Sequence, residues 1–281
     1  MTISKTPDYY RPSLASRLLT TQYLGSELLQ ATGFLVVHNE LPYLISNWHV
    51  FAGLAPNLVG GRTILDSKGC RLPDAVKIRH VRSGDYVNFI ESTESLVDES
   101  GPLWLEHPEH GSMVDIGALP LTQIKDVEII AHDPWMPMFI QIGVGDDLTI
   151  VGYPFGVQSH GFAIWTRGHI ASEFDLDYQD LPCFLIDSRT REGQSGSPAI
   201  FFRTGSYFGK FGEIMMVKRS AELVLTPGQP IPEDYVVPHS NVTEQFLGIY
   251  SGRIDKESDL GRVWRPSAIR DVIERGVRAK I

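Results

Sequence analysis

The segment REGQSGSP (191–198) contains a serine whose neighbours favour nucleophilic chemistry. Ser195 lies between two glycines, and a serine hydroxyl becomes a useful nucleophile only when a nearby base takes its proton. Gly193 and Gly196 can adopt backbone conformations closed to other residues, so they permit an unusual turn. Such a turn can direct the N–H groups of Gly193 and Ser195 at one point, which is how an oxyanion is stabilised. The segment therefore predicts a nucleophile at Ser195 and oxyanion donors at Gly193 and Ser195.

A base and a carboxylate occur upstream, in SNWHV and MVDIGALPL. His49 follows the apolar run YLISN, so we expect it at the end of a strand, where functional side chains have a rigid support. Asp115 precedes an apolar run and is expected at the buried start of a strand. A buried carboxylate needs a partner, and the Nδ1–H of a histidine can supply one. Taken singly, Ser195 could form an ordinary turn, His49 a core contact and Asp115 a cap; together they favour a base, its orienting carboxylate and a nucleophile.

The elements around these residues are predicted to be mostly strands. Short apolar runs rich in β-branched and aromatic residues alternate with Gly, Pro, Asn and Asp, which is typical of an all-β sandwich or barrel. The expected strands are 33–37, 43–51, 75–81, 127–131, 148–153, 162–171, 183–187, 197–202, 213–218 and 245–251.

The C-terminal end has a helical pattern. Apolar residues recur there at spacings of three and four, after Ser267, which is expected to be the N-cap. We therefore predict a helix over 267–276, packed on the β core. The segments 88–113 and 219–244 are interpreted as insertions, and the second, rich in Pro and Gly, as a long surface loop.

The order His49, Asp115, Ser195 and the surrounding motifs resemble the trypsin/chymotrypsin serine proteases. The protease domain of the bacterial high-temperature-requirement proteases is the most similar, although we expect no PDZ domain here. The resemblance covers roughly residues 25–276 and is carried by ATGFLVV, SNWHV, VDIGALPL, VGYPFG, GQSGSP and FLGIYSG.

The resemblance implies a fold of two packed six-stranded antiparallel β-barrels, chymotrypsin-like, with a C-terminal helix. Residues 1–135 would hold the N-terminal segment and the first barrel, with His49 and Asp115. Residues 136–281 would hold the second barrel, with Ser195, and the helix.

The resemblance also implies the reaction, peptide-bond hydrolysis through an acyl-enzyme, with no cofactor and no metal. A protein or peptide substrate would pair with the cleft strand, formed by Ile249, Tyr250, Ser251, Gly252 and Arg253. Arg189 would lie at the floor of the specificity pocket.

Three arginines near the expected cleft leave two interpretations open. Arg189, Arg191 and Arg253 could favour an acidic side chain in the substrate. Alternatively, they could point to solvent or pair with nearby carboxylates, of which Glu192, Asp187 and Asp255 are the candidates.

One departure from the trypsin pattern concerns activation. Gln194 precedes the nucleophile where animal trypsins have an aspartate that pairs with a newly cut N-terminus. Gln194 cannot form that ion pair, so we expect no trypsin-style zymogen cleavage. We also expect that an activating protein partner or a ligand orders the cleft, acting through the loop 219–244.

Composition restricts the partners and the compartment. The chain of 281 residues has a formal net charge of −9, which argues against nucleic acid as a partner. No apolar run is long enough to span a bilayer, and the first residues contain no apolar run typical of a secretory signal, so we expect no membrane partner. With only Cys70 and Cys183, a disulfide framework is not expected, and a cytoplasmic location is predicted.

His107 and His110 have a zinc-like spacing but lack further ligands.

Two other functions are alternatives to an endopeptidase. An α/β-hydrolase needs G-x-S-x-G and the order Ser, acid, His, and position 197 is serine. The second alternative is a catalytically silent protease-fold module that binds peptides or acts as a scaffold.

Overall fold

The computed structural model describes residues 10–56, 62–64, 72–204, 242–255 and 257–281. Its helices are α1 (Arg11–Ala15), α2 (Trp48–Ala52) and α3 (Pro266–Arg275), with a short 3-10 helix at Pro154–Gly156. Its strands are β1 (Ser16–Tyr23), β2 (Ser26–His38), β3 (Leu41–Ser46), β4 (Leu54–Pro56), β5 (Arg62–Ile64), β6 (Ala75–Arg82), β7 (Asp85–Ser95), β8 (Val97–Asp98), β9 (Gly101–Pro102), β10 (Leu105–Glu106), β11 (Gly117–Pro120), β12 (Asp147–Gly152), β13 (Ile164–Ile170), β14 (Cys183–Asp187), β15 (Pro198–Thr204), β16 (Val242–Arg253), β17 (Leu260–Trp264) and β18 (Val277–Arg278). The strand expected at 213–218, and the expected loop up to residue 241, lie outside the described residues.

The C-terminal half forms a closed six-stranded barrel in the order β12-β13-β14-β17-β16-β15. Neighbouring strands are antiparallel, as the short, evenly spaced apolar runs predicted. The barrel is filled by large apolar side chains, among them Phe184, Phe201 and Leu247. Closure pairs each strand of the barrel with a neighbour on both sides, except for short stretches at strand ends and bulges, so the strands give a rigid support for the loops between them.

The N-terminal half contains an eight-stranded antiparallel sheet in the order β18-β10-β11-β3-β2-β1-β6-β7. Its core packs Trp48, Phe51 and Trp104 against strands β1, β3 and β6. Strand β18, near the end of the chain, pairs with β10 and so ties the C-terminus to this sheet. The sheet, the closed barrel and the C-terminal helix together match the expected chymotrypsin-like all-β fold. The division of the chain at residue 135 stays a prediction.

Two strand predictions were wrong in part or in whole. The expected strand 43–51 ends at Ser46, and α2 begins at Trp48, so His49 lies in a helical turn. Gly53 closes that helix with a φ of +65°, a conformation glycine adopts readily. The segment 127–131 forms only single bridges, at Val127 and Ala131, because no neighbouring strand pairs along it.

The C-terminal helix was predicted correctly, but its start was not. Helix α3 has Arg265 at the N-cap without a side-chain cap hydrogen bond, and Pro266 occupies the first turn. Ser267 therefore lies inside the helix, because proline favours the first helical position and sets the start one residue earlier. The apolar face is buried in a core shared with both halves of the chain, and consists of Ala268, Ile269, Val272 and Ile273.

Among the described residues, no helix has both the length and the apolar character needed to cross a membrane.

We expect Ile269→Ala to lower the free energy of unfolding by about 2–5 kcal/mol, because it leaves a cavity in the core beneath α3. Ser267→Ala should change it by less than about 0.5 kcal/mol, since the hydroxyl caps nothing. Urea unfolding of both variants beside the wild type measures the difference. Equal destabilisation by the two substitutions would contradict this account of the helix.

Candidate active site

His49 and Asp115 meet because two paired strands place them at the same end of the sheet. Strand β3 ends at Ser46 just before His49, and β11 begins at Gly117 just after Asp115. Ser46 and Gly117 are partners in the antiparallel ladder, so the residues beyond them converge. Asn47, between the strand and the helix, donates from Nδ2 to the backbone oxygen of Asp115 at 2.8 Å. This bond fixes the backbone that carries the carboxylate.

The Asp115 carboxylate holds His49 at two points. Oδ1 accepts the backbone N–H of His49 at 2.9 Å, and Oδ2 lies 2.7 Å from the ring Nδ1. The first contact satisfies one of the N–H groups that a helix start leaves without an intrahelical acceptor. The second places a ring proton on Nδ1, and in the tautomer that carries its single proton there, Nε2 is an acceptor. The imidazole side chain is 18% exposed, so part of the ring reaches the surface.

A third donor completes the surroundings of the carboxylate. Ser251 donates from Oγ to Oδ2 of Asp115 at 2.5 Å, although the sequence had suggested only a substrate-binding position for it. Burial by itself raises the pKa of Asp115. The charge of His49 and the hydrogen bonds from His49 and Ser251 oppose it and hold this pKa below its usual value of 3.8. The carboxylate is therefore ionised at neutral pH and holds the imidazole through charge as well as geometry.

The loop around Ser195 depends on its two glycines, as expected from the sequence. Gly193 has a φ of +88° and Gly196 a φ of +84°, a region that other residues rarely adopt. A Cβ on Gly193 would lie 2.3 Å from the backbone oxygen of Tyr153, and one on Gly196 would lie 2.0 Å from that of Thr32. Neither position can hold a side chain without moving backbone atoms.

The peptide planes of this loop are oriented so that two N–H groups stay free. The backbone oxygen of Glu192 accepts the N–H of Phe155 at 2.7 Å. In a trans peptide the N–H points opposite to the carbonyl, so Gly193 N–H points away from Phe155. Within the described part of the chain, neither Gly193 N–H nor Ser195 N–H donates a hydrogen bond. Both can therefore donate to an incoming oxygen.

Gln194, which the sequence identified only as a departure from trypsins, holds the serine loop in place through two side-chain hydrogen bonds. It is buried, and its Oε1 accepts the backbone N–H of Arg191 at 2.8 Å. Its Nε2 donates to Thr166 Oγ1, on β13, at 2.7 Å. A neutral amide thus bridges the loop to the barrel, where a trypsin would use an ion pair with its N-terminus.

The serine loop lies between the sheet and the cleft strand. The backbone oxygen of Ser195 accepts the N–H of Thr32, on β2, at 2.9 Å, and Gly196 N–H donates to Tyr250 O at 3.0 Å. Tyr250 immediately precedes Ser251, which contacts Asp115. Among the described residues, no hydrogen bond within 3.5 Å joins Ser195 Oγ to His49, and such contacts often tighten only when substrate binds.

The proposed cleft strand has an open edge beyond Tyr250, whose own N–H still donates to the backbone oxygen of Ser197 at 2.9 Å. The ladder between β15 and β16 ends at the residue pair Pro198–Ile249. The ladder between β16 and β17 changes register after Tyr250. Ser251 and Gly252 have no ladder partner in either register among the described strands. An extended peptide could pair along this edge.

The three arginines of the expected cleft are exposed. In the described chain, neither Arg189 nor Arg253 forms an ion pair, and Arg191 donates from Nη1 to the backbone oxygen of Thr190 at 3.0 Å. Burial raises the pKa of Tyr250 to about 12, whereas its hydrogen bond with Thr190 and the charge of Arg253 act to lower it. The guanidinium of Arg253 is therefore within electrostatic range of the Tyr250 hydroxyl.

Metal ligands are not assembled at His107 and His110. Their rings stack with centroids 5.0 Å apart, and Nδ1 of His107 accepts backbone N–H groups. The described residues contain no group of three His, Cys, Asp or Glu side chains that could hold a metal ion.

Comparisons with known proteins concern the fold. No protein-family model matches the chain, and no curated protein matches it in sequence. The chain is similar to the serine endoprotease from Yersinia pestis, with a TM-score of 0.47 and 10% identity over 94% of this chain. It spans 63% of that structure's chain. It is also similar to the active form of the Rv3671c protease from M. tuberculosis, with a TM-score of 0.46 and 12% identity over 96% of this chain and 85% of that one. The trypsin-like fold itself is evident from the barrel, the sheet and the C-terminal helix.

The depressed pKa of Asp115 predicts a pH dependence of stability. A carboxyl group whose pKa is lower in the folded state stabilises the fold above its unfolded pKa, and this stabilisation is lost as pH falls through the folded value. The wild type should therefore lose more stability than Asp115→Asn as pH falls from 5 towards 2. Urea unfolding of both chains across that range measures the two slopes. Parallel pH profiles would contradict the assignment.

Proposed function

We propose that this chain is a serine endopeptidase that hydrolyses peptide bonds through an acyl-enzyme. The observation that carries the proposal is the pair of hydrogen bonds between Asp115 and His49. Beside it, the serine loop has two backbone N–H groups that donate no hydrogen bond within the described chain. A base with a fixed tautomer, a serine and a pair of backbone donors are the parts that acyl transfer needs.

Each residue has a defined role in this proposal. His49 Nε2 takes the proton from Ser195 as its hydroxyl attacks the substrate carbonyl, and later gives that proton to the leaving amine. Asp115 keeps the ring proton on Nδ1 and stabilises the imidazolium that forms. The N–H groups of Gly193 and Ser195 donate to the oxyanion of the tetrahedral intermediate, where each donor contributes about 2.7–4 kcal/mol in comparable sites. Water then repeats the attack on the acyl-enzyme.

The alternative is a catalytically silent module that binds peptides along the edge of β16. The open strand edge at Ser251 and Gly252 would serve such a module equally well. The two functions differ in the need for the Asp115–His49 contact, because strand addition requires only backbone groups. The buried charge of Asp115 favours the enzyme, since a scaffold gains nothing from stabilising an imidazolium.

Covalent labelling by a fluorophosphonate probe separates the two functions. We expect the purified wild type to be labelled at Ser195, and labelling to disappear in Ser195→Ala. His49→Ala should slow it by about 10⁴-fold or more, because the serine then lacks its base. Gln123→Ala, on the exposed surface, is a matched control and should label like the wild type.

The same experiment tests the activating partner expected from the sequence. Labelling that requires a second protein would favour such a partner, and full labelling of the purified chain would contradict it. A folded wild type that stays unlabelled even with cellular extract would favour the silent module.

We further propose that the cleft prefers an acidic residue before the scissile bond. Arg189 and Arg253 are free of carboxylate partners in the described chain, and Arg253 lies within electrostatic range of Tyr250 on the cleft strand. A guanidinium without a partner can bind a substrate carboxylate in a bidentate manner.

Peptides that differ only in the residue before the scissile bond, Glu, Leu, Ala or Lys, test this preference. We expect kcat/KM to be highest for Glu, and Arg253→Ala to lower it by about 10- to 100-fold for Glu alone, as a charge-assisted hydrogen bond is lost. Arg82→Ala, an exposed arginine on the N-terminal sheet, should change nothing. Cleavage after Leu that equals or exceeds cleavage after Glu would overturn the preference.

A further inference from the structure

Thr32 lies at the junction of the three segments that form the proposed site. It is completely buried on β2, and its backbone N–H donates to the backbone oxygen of Ser195 at 2.9 Å. Its own backbone oxygen accepts the hydroxyl of Ser46 at 2.8 Å, three residues before His49. The main chain of Thr32 thus connects the serine loop to the strand that carries the base.

The side chain of Thr32 makes two further contacts that only a hydroxyl can make together. Oγ1 donates to the backbone oxygen of Gly193 at 2.8 Å and accepts the backbone N–H of Tyr153 at 3.0 Å. A hydroxyl is both a donor and an acceptor, and the β-branch of threonine restricts its rotamers. No other residue type of this size meets both partners in one conformation, apart from serine, which is less restricted.

These contacts determine the direction of the free N–H groups. Ser195 N–H belongs to the peptide between Gln194 and Ser195. The hydrogen bonds of Thr32 to the carbonyls of Gly193 and Ser195 fix the peptide before this one and the peptide after it, because each peptide is planar. The bond from Tyr153 N–H to the Thr32 hydroxyl fixes the turn that contains Phe155. Phe155 N–H donates to the carbonyl of Glu192, and the direction of this carbonyl determines the direction of Gly193 N–H. Thr32 therefore holds the two peptides that flank Ser195 N–H directly, and the peptide that carries Gly193 N–H through the turn at Tyr153.

We propose that Thr32 is a positioning residue whose hydroxyl holds the oxyanion donors in their productive orientation. The inference rests on the proposed function, because it assigns those donors to acyl transfer. Thr32 forms no hydrogen bond with Ser195 Oγ or with the His49 ring in the described part of the chain, so its effect acts through the backbone of the loop. Removing the hydroxyl leaves one buried N–H and one buried carbonyl without their partner, and the loop must move to satisfy them.

The test compares Thr32→Val, which keeps the shape and removes the hydroxyl, with Thr32→Ser, which restores it. We expect Thr32→Val to lower kcat by about 10- to 100-fold with KM within about twofold, since oxyanion donors act mainly in the transition state. Thr32→Ser should recover kcat to within about threefold of the wild type. Thr21→Val removes another buried hydroxyl, one on β1 with a 3.5 Å bond to Leu29 O, and should leave kcat within about twofold.

Two results would overturn the inference. One is a wild-type kcat in Thr32→Val. The other is an equal loss in Thr32→Val and Thr21→Val, which would indicate only general destabilisation of the sheet.

Hydrogen exchange keeps the inference separate from the proposed function. In Thr32→Val, exchange at the hydrogen-bonded N–H groups of Tyr153, Gln194, Gly196 and Ser197 should be at least about tenfold faster, and in Thr32→Ser it should match the wild type. Failure of the wild type to react with a fluorophosphonate even with cellular extract would contradict the proposed function alone, and these exchange rates would still decide whether Thr32 holds the loop. Unchanged exchange in Thr32→Val would overturn the inference whatever the enzyme does.

Discussion

The oxygens of a buried carboxylate need hydrogen-bond donors, and the donors to Asp115 come from separate parts of the chain. The backbone and ring N–H groups of His49 come from α2, and the hydroxyl of Ser251 comes from β16 of the barrel. Burying a carboxylate without such partners costs several kcal/mol, so the charge favours only arrangements in which sheet and barrel are docked. One ion therefore couples the placement of the two halves to the orientation of the imidazole.

The serine loop obeys a different constraint, which is steric. Two glycines at positive φ let the loop pass within contact distance of backbone oxygens on Tyr153 and Thr32. The close approach brings backbone polar groups together where they can pair, and it leaves the N–H groups of Gly193 and Ser195 facing away from the protein's own acceptors. The buried charge thus orients the base, and close backbone packing orients the donors.

The sequence predicted the all-β architecture because its short apolar runs and turn residues carry that information locally. It failed at His49, where the run YLISNWHVF does not reveal that the strand stops at Ser46, since short apolar runs fit either element. It failed at 127–131 because strand formation needs a partner, and only single bridges form there. The pairing of His49 with Asp115 could be anticipated from two motifs. The roles of Thr32, Thr166 and Ser251 could not, because their partners lie 28 to 161 residues away in the chain.

The bonds that order the serine loop are neutral, whereas the bond that orders the base is ionic, and this difference has consequences for regulation. Gln194 and Thr32 brace the loop through an amide and a hydroxyl, neither of which titrates in the physiological range. A trypsin-like ion pair would instead make loop order depend on a free terminal amine and on its protonation. In this chain the loop needs no such charge, so protonation of Asp115 would weaken its contacts with His49 and leave the bonds that hold the oxyanion donors intact. Removal of the Gln194 amide or the Thr32 hydroxyl would instead disorder the N–H groups of Gly193 and Ser195, while His49 stays hydrogen-bonded to Asp115.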